Sequence, residues 1–171
     1  MHDMSWKIRA EKPGDVPAVR EVNRLAFGRE DEARLVDDLR SGAHARISLV
    51  ASREDKIIGH VMFSALSIET ERDSVEALAL APVAVVPEAQ GQGIGSALIR
   101  EGLRRCGHLG HSTVIVLGEP DYYSRFGFSS TLARKLRSQY SGEAFMALEL
   151  TPRALNDVEG DVRYPPPFEY A

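Results

Sequence analysis

The chain has 171 residues and a single cysteine, Cys106, so it holds no internal disulfide and no cysteine-rich metal site. No histidine-and-acid pattern accompanies Cys106, which reads as a buried structural thiol and not as a nucleophile. There is no apolar run of about 18 residues, and the start MHDMSWKIRA has no apolar stretch behind it. A transmembrane helix and a secretory signal are therefore not expected, and a soluble, cytoplasmic protein is. The 21 basic residues are scattered among 25 acidic ones, for a net charge of −4, so nothing points to nucleic acid as a partner. No internal repeat is visible. The hydrophobic fraction of 43% suits one domain with a proper core, and the length is too small for two large ones.

The stretch around which the rest is organised is Leu80 to Gly95, LAPVAVVPEAQGQGIG. Its first half, small and β-branched and bounded by prolines, predicts a buried strand ending near Val86 and Pro87. Gln90 to Gly95 then pass into SALIREGLRRCGHLG, where Ile94, Leu98 and Leu109 recur at helical spacing with Ala97 and Ile99 beside them. The glycine loop is thus the N-terminus of a helix. Backbone N–H groups there have no intrahelical acceptor and carry the positive end of the peptide dipoles. Glycines at 91, 93 and 95 remove the Cβ atoms that would hold a phosphate away, so a pyrophosphate-sized anion suits the loop.

Spacing excludes one familiar phosphate loop and weakens another. A P-loop needs a lysine, and none lies between Lys56 and Lys135. A GxGxxG fingerprint starting at Gly91 and Gly93 would need glycine where Ser96 stands. What fits is QxxGxG, as Gln90, Gly93 and Gly95 directly after a strand, and in this the chain resembles the GNAT superfamily of acyl-CoA-dependent N-acyltransferases. A second motif follows one helix later: in VIVLGEPDYYSRFGF, Val114 to Phe128, Tyr123 stands four residues before Gly127-Phe128, as a tyrosine does in that family. The resemblance covers roughly Ile8 to Leu150, the core, and leaves 151–171 as an extended C-terminal tail.

Elsewhere the pattern predicts a first strand over Trp6 to Ala10, then a helix capped by Asp15 with Val16, Val19, Val22, Asn23, Ala26 and Phe27 on one side. A second helix is expected from Asp31 to Arg40, with Gly42 beyond its end. Ile47 to Ser52 and Lys56 to Leu66 predict a hairpin around Arg53-Glu54-Asp55, and Thr70 to Ser74 a charged turn. In the second hairpin strand His60 is either a general base or a histidine accommodated on a sheet face. Gly107 and Gly110 should end the motif helix. His108 and His111 have a metal-pair spacing but no third ligand nearby, and no metal site is expected. Thr113 to Leu117 should run parallel to the organising strand through a right-handed crossover. Ala144 to Leu150 predicts a strand, Thr151-Pro152-Arg153 a helix start with Pro at N1, and the proline-rich end an extended segment that packs through Tyr164, Phe168 and Tyr170 or projects to a partner.

The resemblance implies an α/β fold of GNAT type: a central, mostly antiparallel mixed sheet with one parallel strand pair that splays apart, flanked by helices. It implies acetyl-CoA as co-substrate and an amine as acceptor, with the pantetheine arm in the gap between the splayed strands. The N–H groups of Gln90, Gly91, Gln92, Gly93, Ile94, Gly95 and Ser96 would hold the pyrophosphate, and the backbone of Val83 and Val85 would meet the pantetheine amides. Tyr123 would be the general acid that protonates the departing thiolate, with Tyr122 beside it available for packing. The helices after Asp15 would border the acceptor pocket, where Glu30, Asp31 and Glu32 either recognise an amine or are solvated helix-start charges. Some members carry a glutamate where this chain has Ala79, which removes the obvious base and leaves Glu76, Glu119, His60 or a neutral amine. That departure keeps open a non-catalytic acyl-CoA-binding or sensor domain. Many relatives form dimers, and a homodimer and a monomer both remain compatible with the sequence.

Overall fold

A computed structural model describes residues 5–170, with the side chain of Tyr170 excepted. The packing expected of that side chain lies outside the described residues, as do positions 1–4 and 171 of the expected domain.

The chain builds one sheet of eight strands among the described residues. Strand β1 (Lys7–Ala10) pairs antiparallel with β2 (Ala45–Arg53), and β2 with β3 (Lys56–Glu69). Glu54 and Asp55 link β2 and β3 at positive φ, 50° and 64°, a two-residue turn whose twist matches that of the strands it joins. β3 pairs antiparallel with β4 (Ser74–Val85), and β4 runs parallel to β5 (Thr113–Leu117). The short β6 (Leu136–Arg137) forms within the polar stretch Arg134 to Gln139, and β7 (Phe145–Glu149) closes the main path against β5. The order is β1-β2-β3-β4-β5-β7.

Side chains alternate across this sheet as strand geometry requires. Leu49, Ala51, Val61, Phe63, Leu78, Leu80, Val114 and Val116 face α3 (Ile94–His108), burying Leu98, Ile99 and Cys106. Each of Leu98 and Ile99, fully buried, contributes roughly 1.5–3 kcal/mol relative to exposure. Val50 and Met62 point the other way, onto Val19 of α1 (Val16–Phe27) and Leu35, Val36 and Leu39 of α2 (Asp31–Ser41). Helix α3 crosses close over β3 because Gly102 faces the ring of Phe63, where a Cβ would collide.

The parallel pairing is brief. β4 and β5 pair only through Leu78 with Val114 and Ala79 with Ile115. Beyond Ala79, β4 stays paired with β3 as far as Val85, through a one-residue register shift between Leu80 and Val83, while β5 continues against β7. The peptide Ala81–Pro82 is cis, and Pro82 has no N–H to offer a neighbouring strand. A gap therefore opens between β4 and β5, as the splayed pair requires.

Four local expectations are corrected. Asp15 stands at the N-cap position of α1, but its side chain makes no capping hydrogen bond to that helix, because a 3-10 turn over Pro13–Asp15 runs straight into it. Its carboxylate instead reaches back to the Lys12 N–H at 2.7 Å and to Arg9 at 2.6 and 3.0 Å, and the Arg9 hydrogen bond holds its pKa down at about 2. Thr151-Pro152-Arg153 starts no helix: Arg153 adopts φ 66°, which a right-handed helix excludes. Leu109 ends α3 at 65% exposure and belongs to no apolar stripe. The helix itself passes through Gly107, and Gly110 turns the chain away at φ 91°.

The fourth correction matters most for the site. The C-terminal segment is not an extended tail. β8 (Gly160–Arg163) pairs antiparallel with β3 at Ser67 to Glu69, past the point where β2 leaves β3, and parallel with β6. Gly160 sits against the Glu69 carbonyl, where a side chain would collide. A 3-10 turn, Pro166–Tyr170, follows and returns the chain toward α2.

Candidate active site

The glycine loop leaves β4 through Val86 and a 3-10 turn, Pro87–Ala89. The Gln90 side-chain amide donates to the Val85 carbonyl at 2.9 Å, and its backbone N–H to Pro87 at 3.3 Å. Gln90 therefore braces the loop and occupies the Val85 carbonyl, one of the backbone groups expected to meet the pantetheine amides. Gly91 (φ 76°) and Gly93 (φ 86°) stand in the left-handed region, which glycine enters without penalty. Gly93 is the N-cap of α3, and no side chain caps that end and no acid lies in its first turn. The positive end of a four-turn helix thus opens onto the cleft without a counter-charge.

Gly95 works differently: it is helical, and a Cβ there would meet the Tyr122 hydroxyl at 3.5 Å, Val85 at 3.8 Å and Val83 at 3.9 Å. The missing side chain leaves the space between α3, β4 and Tyr122 unfilled. A cavity of about 230 Å³ follows the loop, lined by Val85, Ala89, Gln90, Gly91, Gly93, Ile94, Gly95, Ser96 and Tyr122. Gln92 turns outward, its side-chain oxygen accepting from Arg53 at 2.6 Å. Arg53, which the sequence places only in the hairpin turn, ends β2, and its Nε is buried without a hydrogen-bond partner. Only the fold brings this guanidinium to the loop.

The two adjacent tyrosines divide between two cavities. Tyr122 shares a 3.1 Å hydrogen bond with the Ser96 hydroxyl, on the loop side. Tyr123, at the end of α4 (Pro120–Tyr123), lines a second cavity of about 360 Å³ together with Val83, Pro82, Leu80 and Ala79 of β4 and Ile115 and Leu117 of β5. Their rings stack at 5.0 Å and 16°, and Phe128 meets Tyr123 edge-on at 5.9 Å. Opposite Tyr123 is Gly118, where any Cβ would collide with the ring. Burial, with Tyr122 adding to it, raises the Tyr123 pKa above the ordinary phenol value of 10. Its hydroxyl is a proton carrier throughout the neutral range.

None of the three candidate bases lines either cavity. Glu119 is exposed at the N-cap of α4. Glu76 faces a separate cavity with His44, Arg46, His111 and Arg163. Among the described residues no group of three potential ligands surrounds His108 and His111 or any other point. Of the helix-start acids Glu30, Asp31 and Glu32, only Glu32 lines the Tyr123 cavity, and its hydrogen bond from Arg29 lowers its pKa.

His60 is fully buried between sheet and α1. The Asn23 amide donates to its Nδ1 at 3.2 Å, which leaves Nε2–H to donate to the Ser48 hydroxyl at 2.8 Å. Desolvation, then the charge of Arg40, lowers its pKa from 6.5 to about 3. A histidine held neutral in the fold and charged when unfolded stabilises fully above about 6.5, and that stability is lost as pH falls. The carboxylates of Asp15 and Glu101, held near 2, release their stability only below their unfolded values of 3.8 and 4.5. Between pH 6.5 and 4.5 the unfolding free energy should therefore fall by up to ~1.4 kcal/mol per pH unit. Urea denaturation across that window checks it, and His60→Gln should flatten the slope.

A family model described as the acetyltransferase (GNAT) domain matches residues 7–131. The chain is 37% identical over 160 residues to the uncharacterised N-acetyltransferase YhbS of Escherichia coli, covering 92% of this chain and 95% of that protein. The crystal structure of YhbS from Escherichia coli in complex with CoA superposes with a TM-score of 0.89 at 34% identity, over 99% of this chain and 96% of that one. A GNAT family acetyltransferase from Brucella melitensis, in complex with acetyl-CoA, gives 0.79 at 33% identity, over 97% and 99%.

Proposed function

The chain belongs to the GNAT acetyltransferase family, and from that we propose that it acts as a single domain moving an acetyl group from acetyl-CoA to a primary amine by direct attack. It is an acyl-CoA-dependent N-acetyltransferase. The observation that carries the reading of its site is a pair of cavities lined by the two stacked tyrosines, one ring to each. The first follows an uncapped helix end suited to a pyrophosphate, and the second holds the half-buried Tyr123 where β4 parts from β5.

In this reading the backbone N–H groups of the Gly91 to Ser96 loop take the pyrophosphate, Arg53 adds positive charge beside it, and the unpaired edge of β4 near Val83 aligns the pantetheine arm. Holding the thioester there removes much of the entropic cost of reaction. The amine nitrogen then bonds to the thioester carbonyl carbon while the carbon–sulfur bond breaks. Tyr123 gives its hydroxyl proton to the departing sulfur and regains one from solvent. Ala79 leaves the cleft without a strand carboxylate, and Glu32 is held ionised as a weak base, so the amine enters neutral or yields its proton to water.

Calorimetric titration with acetyl-CoA, followed by free-thiol release on adding amines, tests this. Binding with turnover supports it; binding without turnover would leave only an acyl-CoA-binding domain. Gly118→Ala should lower kcat about tenfold or more by pushing the Tyr123 ring out of place, since the Gly118 N–H, bonded to the Ala144 carbonyl at 3.0 Å, keeps the backbone from yielding. Stopped-flow thiol release with the variant checks it.

A further inference from the structure

We propose that the acceptor is a compact monoamine carrying an aromatic ring. This rests on the acetyltransferase reading of the same site and goes further by reading the walls of the Tyr123 cavity. Six of its lining residues, Phe27, Leu117, Tyr123, Tyr140, Tyr164 and Phe168, come from five separate segments of the chain. Tyr140 meets Tyr164 edge-on at 5.7 Å, and Tyr164 meets Phe168 at 5.2 Å and 54°. These three rings form a continuous wall of the cavity that Tyr123 also lines. Phe27 and Leu117 are 39% and 47% exposed, two of the few large apolar side chains the described residues leave open to solvent. Exposed apolar groups inside a concave site call for an apolar ligand to cover them.

Charge narrows the class. Glu32 is the one carboxylate on this wall, and Arg29 already pairs with it. Arg29 lines the same cavity, so the wall holds only this one, already neutralised, negative charge for an arriving ammonium. A polyamine or an aminoglycoside brings several cations and needs several carboxylates, which the cavity does not have. A volume of about 360 Å³ is at the small end of ligand pockets, roughly 300–1,000 Å³, and fits one ring with a short amine-bearing chain. The ring stacks among Tyr140, Tyr164 and Phe168, and the amine reaches toward Val83 and Tyr123, where the strands part.

The test measures free-thiol release from acetyl-CoA with phenethylamine, butylamine, spermidine, kanamycin and an alanine-led tetrapeptide, alongside calorimetric acetyl-CoA binding. The expected result is a kcat/KM for phenethylamine at least tenfold above that of every other amine. Phe168→Leu, which keeps an apolar side chain and removes the ring, should raise the phenethylamine KM about tenfold at unchanged acetyl-CoA affinity, and Phe168→Tyr should restore it. Equal or better use of butylamine, spermidine, kanamycin or the peptide overturns the proposal. Acetyl-CoA binding with no turnover of phenethylamine also overturns it while the donor site stands. Absence of acetyl-CoA binding overturns the donor reading itself, and the acceptor class with it.

Discussion

Replacing Tyr123 by phenylalanine should lower kcat by roughly 100-fold or more while leaving the affinity for acetyl-CoA unchanged. The argument starts from surroundings, not from the motif alone. The Tyr123 ring is fixed on three sides, by Tyr122 stacked on one face, by Phe128 at its edge and by Gly118 below. Phenylalanine keeps each of those contacts, so the fold and the cleft survive and only the proton is lost. Because burial raises the phenol pKa above its ordinary value, the wild-type rate should hold through neutral pH and fall only in the alkaline range where Tyr123 ionises. In the variant that alkaline fall should disappear, since no phenol remains to titrate. Tyr122→Phe is the control: it breaks the bond to Ser96 on the donor side and should change kcat only a few-fold, within the range of one neutral hydrogen bond. Wild-type turnover in Tyr123→Phe across the alkaline range would end the general-acid assignment. A larger loss in Tyr122→Phe would move the role to its neighbour.

What could be read from the sequence was local. Leu80 to Gly95 announces strand, loop and helix because prolines, glycines and apolar spacing act within a few residues of one another, and β4, the Gly91 and Gly93 turn and α3 occur where that spacing puts them. The hairpin strands, the parallel β4–β5 pair and β7 follow for the same reason. What stayed hidden depends on contacts between distant segments. The pairing of β8 with β3 joins residues about a hundred positions apart, and no local pattern in VRYPPPFEYA distinguishes an added strand from a tail. The wall of Tyr140, Tyr164 and Phe168 inherits that invisibility. Arg53 lies in a hairpin turn by sequence and beside the glycine loop in space. Gly118 looks like any turn glycine until the Tyr123 ring is seen against it. His60 fits both of its sequence readings, and only burial with Asn23 and Ser48 decides for the core.

The largest effect on donor binding should come from Gly93→Glu, which we expect to abolish detectable acetyl-CoA binding, at least a 100-fold rise in Kd, with little loss of stability. Three terms set this outcome. The first is conformational: Gly93 holds φ 86°, and a residue with a Cβ there costs about 1–2 kcal/mol. The second opposes it, because a carboxylate at the uncapped start of α3 interacts favourably with the helix dipole, by about 0.3–1 kcal/mol. No heavy atom lies within 4 Å of the position a Cβ would take, so no steric term is added and the fold should persist with a small drop in Tm. The third term acts only on the ligand. A fixed negative charge at the N-terminus of α3 repels a pyrophosphate and competes for the same N–H groups. Gly93→Asn separates the causes, since asparagine tolerates the left-handed region and carries no charge. It should weaken binding by a few-fold at most. Calorimetry of the three proteins, each checked by thermal unfolding, gives the order wild type, Asn, Glu if an anion sits on this helix end. Equal affinity in wild type and the Glu variant would mean that acetyl-CoA binds elsewhere in the chain.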